Sequence, residues 1–241
     1  REDILPHVIE KTDSPKRVTV VGAGPGGLEA ARIAAERGHT VTLFEAAPRA
    51  GGQLLLAAKL NMRRDLIGIV DWRVNELERL AVAVHYNVFA EVDDIADTKP
   101  DTVIVATGGV PDRMEDIPGA ELGVPLWDFL DGGAPPDGDV VFYDGTGTAA
   151  GLNGANTLAT AGASVTYVTP DSTAGAEVSY IERPLQMRQF YKSGTTLHPD
   201  LRLRCVIREE NGLRLSFENT YSGKVIDMSC DTPVSYTHLR A

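Results

Sequence analysis

Short runs of β-branched residues alternate along this chain with stretches whose apolar positions recur every three or four residues. Residues 18–21, 41–45, 82–87 and 102–106 predict strands, with 90–92 as a short continuation of the third. Residues 26–37 predict a helix that stops at Gly38. Leu66, Ile69, Val70, Val74, Leu77 and Leu80 place one apolar face on a helix over 63–80. Past residue 112 the pattern breaks into a Gly-, Pro- and Asp-rich crossover with one apolar piece at 126–130. Residues 140–143 and 164–169 then predict strands around an Ala/Leu helix at 156–161, so strand, glycine loop, helix and strand occur twice. Residues 202–208 and 213–219 alternate around Asn211-Gly212, a type I′ hairpin signal, and a third strand at 224–228 completes an antiparallel flap.

The first strand-to-helix junction carries the chemistry. Gly22, Gly24 and Gly27 stand at G-x-G-x-x-G spacing. The first allows a sharp turn, the second lets the backbone approach a pyrophosphate, and the third lets helix and strand pack closely. Glu45 ends the next strand, 23 residues after Gly22, where an acid can accept hydrogen bonds from an adenosine ribose. Gly51-Gly52-Gln53 follows as a bend able to turn N–H groups toward a ligand. The strand at 102–106 ends in Thr107-Gly108-Gly109-Val110-Pro111, and ligands of open α/β sheets sit at such carboxyl ends.

The second junction holds Gly145, Gly147 and Gly151, a G-x-G-x-x-x-G spacing frequent in NADPH loops. Its second strand ends in Thr169-Pro170, with neither an acid for ribose hydroxyls nor an Arg for a 2′-phosphate. Asp171 comes two residues late, and Asp144 sits where it would repel phosphate. The loop is therefore either an NAD(P)H site or a purely structural repeat. Residues 175–192 predict a solvated amphipathic helix with Leu185, Met187 and Phe190 partly buried.

A formal net charge of −11 argues against a nucleic-acid surface or an anionic membrane partner. No apolar run reaches the length of a bilayer span. Cys205 and Cys230 form no close pair, and the five histidines are scattered, so neither a disulfide nor a metal centre is expected and a reducing cytoplasm is the expected location. No nucleophile motif occurs, so no catalytic residue is named and the chemistry is expected from a cofactor. Residues 1–15 read as a linker from an upstream domain. Residues 235–241 follow neither period and resemble a translated sequencing adapter, so 234–241 is expected to be a non-native tail.

Taken together, the first glycine motif, Glu45, Gly51-Gly52-Gln53-Leu54 and Ala106-Thr107-Gly108-Gly109-Val110-Pro111 resemble the two-dinucleotide-binding flavoproteins. Within them the chain is similar to the C-terminal region of NADH:flavin oxidoreductases related to 2,4-dienoyl-CoA reductase and trimethylamine dehydrogenase, in the amine demethylase branch. The resemblance implies two Rossmann-like, doubly wound α/β domains, the second inserted in the first and carrying the antiparallel flap. The expected boundaries are 16–112 and 113–229, with 230–233 beginning a return to the first domain, whose sheet would otherwise lack its last strand. It implies FAD, or plain ADP, held by Gly22, Gly24, Gly27, Glu45, Gly52, Gln53, the backbone of Ala90, Thr107 and Gly108. It also implies an N-terminal barrel domain bearing FMN and a 4Fe-4S cluster, a small-molecule substrate and an electron-transfer protein as partners. Electrons would pass between NAD(P)H and those upstream centres, in a multidomain enzyme that would reduce enoyl compounds or oxidatively demethylate small amines. The alternative is a non-redox module that holds ADP for structure. Disulfide reductases are disfavoured because the chain lacks their close cysteine pair.

Overall fold

The computed structural model describes residues 8–134, 136, 138–237 and 239–240. The N-terminal part of the expected linker, together with His238 and Ala241 of the expected tail, lies outside them. The chain divides into two compact units, the first comprising the residues up to 58 and 63–108, the second 59–62 and everything from Gly109 on.

In the first unit, β1 (Arg17–Val21), α1 (Pro25–Glu36) and β2 (Thr40–Glu45) follow the predicted order. They are succeeded by α2 (Gln53–Ala57), α3 (Ile67–Arg79), β3 (Ala83–Tyr86), α4 (Val92–Asp97) and β4 (Thr102–Val105). The parallel sheet runs β3-β2-β1-β4. Val18 and Val20 of β1 and Leu43 of β2 pack with Leu28 and Ala31 of α1 and Val70 and Leu77 of α3 in one buried cluster. Pro25 at the start of α1 uses a position where no amide hydrogen bond is lost. Thr19 points to the opposite face and its hydroxyl meets that of Thr98, at the end of α4, at 2.6 Å. The end of α4 thus reaches the face of the sheet opposite the one that α1 and α3 cover. β4 is an edge, and its Val105 side is largely exposed.

The second unit contains β5 (Val110–Pro111), β6 (Val124–Pro125), α5 (Leu126–Leu130), β7 (Asp139–Asp144), α6 (Ala149–Thr160) and β8 (Ser164–Val168). Then come α7 (Arg183–Lys192), β9 (Thr196–His198), β10 (Leu201–Glu209), β11 (Gly212–Asn219), β12 (Val225–Cys230), β13 (Thr232–Tyr236) and β14 (Leu239–Arg240). The parallel sheet runs β6-β13-β7-β8-β9. β7 is buried on both faces, as its continuous apolar run requires. Phe142 stacks on Tyr167, while Tyr143 faces Phe217 of the β10-β11-β12 meander.

Four local expectations differ from the structure. Residues 90–92 are not a strand: Glu91 donates its N–H to Asp94 Oδ2 at 2.8 Å and opens α4, a capping signal that outweighs the β-branched Val92. Helix α7 begins only at Arg183, and it buries Gln186 and Phe190 while leaving Leu185 exposed. In the hairpin Glu209 pairs with Gly212, so the two linking residues are Glu210 and Asn211 rather than Asn211 and Gly212. A Cβ on Gly212 would lie 2.8 Å from the Cys230 carbonyl oxygen, so the neighbouring strand β12 reserves that position for glycine. Finally, Thr232 and Pro233, expected to begin a return to the first domain, form β13 together with residues 234–236 of the expected tail, a strand of the second unit's own sheet beside β7.

β13 corresponds to β4, and one device starts both. Asp101 donates its N–H to the Arg17 carbonyl at 2.9 Å and accepts the Arg17 N–H on Oδ2 at 2.8 Å. Asp231 repeats this with Asp139, at 2.9 Å in each direction. Val18 then pairs with Thr102, and Val140 with Thr232.

Candidate dinucleotide site

The loop after β1 is built from backbone that tolerates no side chain at two positions. Gly22 has φ +100°, and a Cβ there would stand 2.5 Å from the Ala106 carbonyl oxygen. A Cβ on Gly27 would overlap the Gly22 carbonyl oxygen and come within 3.3 Å of the Ala106 Cβ. Both contacts are to groups that cannot swing aside, so α1 and the ends of β1 and β4 approach as closely as glycine allows. Gly24 is different: it has ordinary extended backbone, and a Cβ there would meet nothing within 4 Å. The space at Gly24 is not used for packing.

Around this turn the chain assembles a cradle. Glu45 accepts the Ala23 N–H on Oε2 at 2.6 Å and the Ala47 N–H on Oε1 at 2.8 Å. Each oxygen keeps acceptor capacity for a further donor, because a carboxylate offers about four lone-pair sites. Gly51 donates its N–H to the Ala23 carbonyl at 2.9 Å, which ties the second glycine pair to the first loop. Gly52, at φ +50°, approaches Gly24 so closely that its Cβ would lie 3.0 Å from the Gly24 Cα. Gln53 opens α2, and its Nε2 would be 3.6 Å from a Cβ on Gly108, which has φ +77°. Thr107 and Gly108 are exposed just past β4. Ala90 lies half-buried in the link between β3 and α4. That link begins where Asn87 and Val88 donate to the Ala47 and Glu45 carbonyls, at 3.1 and 3.0 Å. The structure thus brings Gly22, Gly24, Gly27, Glu45, Gly52, Gln53 and Gly108 to one end of the first sheet. Gly51, Ala23 and Ala47 complete that arrangement through their main chains; only the doubled glycine signalled this in the sequence.

Residues 16–132 match the model of the pyridine nucleotide-disulphide oxidoreductase family. This segment belongs to that family. Over 223 residues the chain is 43% identical to a probable N-methylproline demethylase of Rhizobium meliloti, covering 92% of this chain and 33% of the relative. It is also 43% identical over 228 residues to the N,N-dimethylglycine/sarcosine dehydrogenase of Chromohalobacter salexigens, covering 91% and 33% respectively. Among solved structures it superposes on the 6-hydroxypseudooxynicotine amine oxidase of Pseudomonas geniculata N1 with a TM-score of 0.88 at 28% identity, covering 97% of this chain and 36% of the other. The chain therefore spans about a third of the length of these relatives.

The oxidoreductase family match covers all of the first loop and ends before the second. There Gly145, Gly147 and Gly151 do come together, around Asp144. This carboxyl is fully buried and accepts three hydrogen bonds on Oδ1: the Thr146 N–H and Thr146 hydroxyl, both at 2.8 Å, and the Gly147 N–H at 3.1 Å. Tyr167 donates its hydroxyl to Oδ2. A Cβ on Gly151 would collide with the same carboxyl, so that glycine makes room for a side chain of its own unit. Burial, the largest influence, pushes the Asp144 carboxyl above its ordinary range, against the hydrogen bonds that favour its charged form. Burial and then the charge of Asp144 push the Tyr167 phenol up. Among the described residues no group of His, Cys, Asp and Glu could hold a metal ion. No helix among them is long and apolar enough to cross a membrane.

Proposed function

We propose that this chain is the nucleotide-binding part of a flavin-dependent oxidoreductase that demethylates or dehydrogenates N-methylated amines. The observation that carries the proposal is the open, unstrained position at Gly24, enclosed by Gly22, Gly27, Glu45 and Gly52. These residues would hold the diphosphate and adenosine portion of FAD, with Gly24 facing the phosphates and Glu45 the ribose hydroxyls. Gln53, Thr107 and Gly108 would border the flavin side, and the Ala90 backbone the adenine. When bound, the flavin supplies two-electron redox chemistry; the protein contributes binding and orientation. The names of the two curated relatives, a demethylase and a dehydrogenase of N-methylated amino acids, support the substrate class. The greater length of those relatives supports further domains, proposed to carry FMN and a 4Fe-4S cluster as the electron partners of this nucleotide site. The unpaired Cys205 and Cys230 suit a reducing cytoplasm.

A second reading keeps the site and removes the redox role, with ADP alone filling the cradle. It is favoured by the fact that the geometry described above is richest around the phosphates and ribose, the part FAD and ADP share. The purified protein separates the two. A flavin absorbance spectrum, with FAD released on denaturation, supports the oxidoreductase reading. A colourless protein that releases ADP supports the second. A protein that releases neither and binds neither overturns both.

A further inference from the structure

We propose that the second glycine loop is liganded by its own chain and closed to a pyridine nucleotide, Asp144 holding donors of the turn and the 171–178 segment covering its outer side. A glycine loop binds phosphate through free N–H groups at the turn and at the start of the following helix. Here the groups of the turn, from Thr146 to Thr148, are in use. Thr146 and Gly147 donate to Asp144 Oδ1, and the Thr148 N–H donates to the Thr146 hydroxyl oxygen at 3.2 Å. The Thr146 and Thr148 hydroxyls are themselves 2.9 Å apart.

The outer side of the loop is covered as well. Asp171, from just past β8, sets its carboxylate against Gly147, where a Cβ would collide with Oδ2. Glu177 donates its N–H to the Gly147 carbonyl at 2.9 Å. Ala174 and Val178 are buried, and a Cβ on Gly175 would stand 2.9 Å from both the Leu152 Cδ2 and the Val178 Cγ2. The 171–178 segment therefore lies on the first turns of α6, across the approach to the loop.

The first unit shows the contrast. Its acid, Glu45, comes from the end of the second strand and takes the Ala23 N–H, and Gly24 beyond it stays open. In the second unit the acid comes from the end of the first strand and reaches under the turn itself. A nucleotide entering there would have to displace a buried carboxyl, leave the Tyr167 hydroxyl without its acceptor and lift the 171–178 segment. The second unit is thus a structural repeat.

This inference does not rest on what the first unit holds. The test is calorimetric titration of the full-length protein, first with ADP and then, at saturating ADP, with NADH and with NADPH. One ADP or retained FAD per chain is expected, and no saturable NADH or NADPH binding up to about 1 mM, the weak end of the usual enzyme range. Hydrogen–deuterium exchange of the peptide covering 144–152 is read in parallel and is expected not to change. A second ADP per chain that alters exchange in that peptide, or saturable NADH or NADPH binding that does so, would overturn the proposal. Nucleotide binding that leaves the peptide unchanged locates the site elsewhere and supports it. Failure of ADP to bind counts against the first unit's site alone.

Discussion

Gly24→Ala and Gly27→Ala, three residues apart in the chain, are expected to fail in opposite ways. At Gly27 the new Cβ overlaps a backbone carbonyl oxygen, and α1 must move away from β1 to admit it. Overpacking of this kind costs about 1–3 kcal/mol, and the better helix propensity of Ala returns about 1 kcal/mol. The carbonyl belongs to the main chain and cannot turn away, so the upper part of that range applies, leaving a net loss of about 2 kcal/mol. For a chain of this size that lowers the midpoint by roughly 4–8 °C. At Gly24 the Cβ meets nothing and the backbone suits any residue. Replacing a glycine N-cap by Ala costs about 0.5–1 kcal/mol, and the stiffer unfolded chain returns about 0.4–1 kcal/mol. Stability should therefore stay within about 0.5 kcal/mol of wild type. Phosphate, however, must approach the main chain at Gly24, and a methyl group there should weaken ADP by at least tenfold, about 1.4 kcal/mol. Thermal unfolding and ADP calorimetry on both variants read the two effects separately. Wild-type ADP affinity in Gly24→Ala, or wild-type stability in Gly27→Ala, would refute the assignment of one glycine to the ligand and the other to packing.

Glu45→Gln keeps one acceptor oxygen and leaves either the Ala23 or the Ala47 N–H without one, so stability should fall by about 1–3 kcal/mol while ADP affinity falls several-fold; unchanged ADP affinity in the folded variant would make Glu45 a structural residue only. Phe217→Ala removes a fully buried ring facing Tyr143 and should cost about 3–5 kcal/mol in urea unfolding, whereas Tyr221→Ala, at an exposed turn, should cost under about 0.5 kcal/mol. Asp144 gives a pH signature. Its folded pKa is raised from an ordinary 3.8, so the native state binds more protons than the unfolded state above that pH, and its contribution to stability falls as pH rises from about 4. Relative to wild type, Asp144→Asn should therefore gain stability between pH 4 and pH 7 in urea titrations; a constant difference, or one of opposite slope, would contradict the burial of that carboxyl. Asp231→Ala should cost about 0.5–1.5 kcal/mol by freeing the Asp139 N–H, with Asp101→Ala doing the same in the first unit.

The amino-acid sequence by itself determined what depends on neighbours a few residues apart. Gly22, Gly24 and Gly27 mark a turn between a β-branched run and good helix formers, and Gly38 stops the helix; these signals act within one turn of chain. The doubled strand–glycine–helix order, the acid at Glu45 and the meander were legible for the same reason. What only the tertiary structure decided involves groups that meet across tens of residues. The motif assigns Gly24 to a ligand and Gly27 to packing, but only the folded chain shows that Gly24 faces open space while the far side of Gly27 is closed by the Ala106 Cβ, which arrives at the end of β4. Asp144 reads as a charge beside a loop; that it is buried beneath that loop depends on Tyr167, which arrives on β8 with its hydroxyl aimed at it. The hairpin register at Gly212 was set by the Cys230 carbonyl of the third strand, which no two-strand signal contains. β13 carries the same Asp-Thr start as β4, but in sequence it reads as the beginning of a return to the first domain followed by a tail, and only pairing with β7 and β6 makes it a strand of the second sheet. Turn chemistry and periodicity are local free energies; which buried atoms share a space is a property of the packed chain.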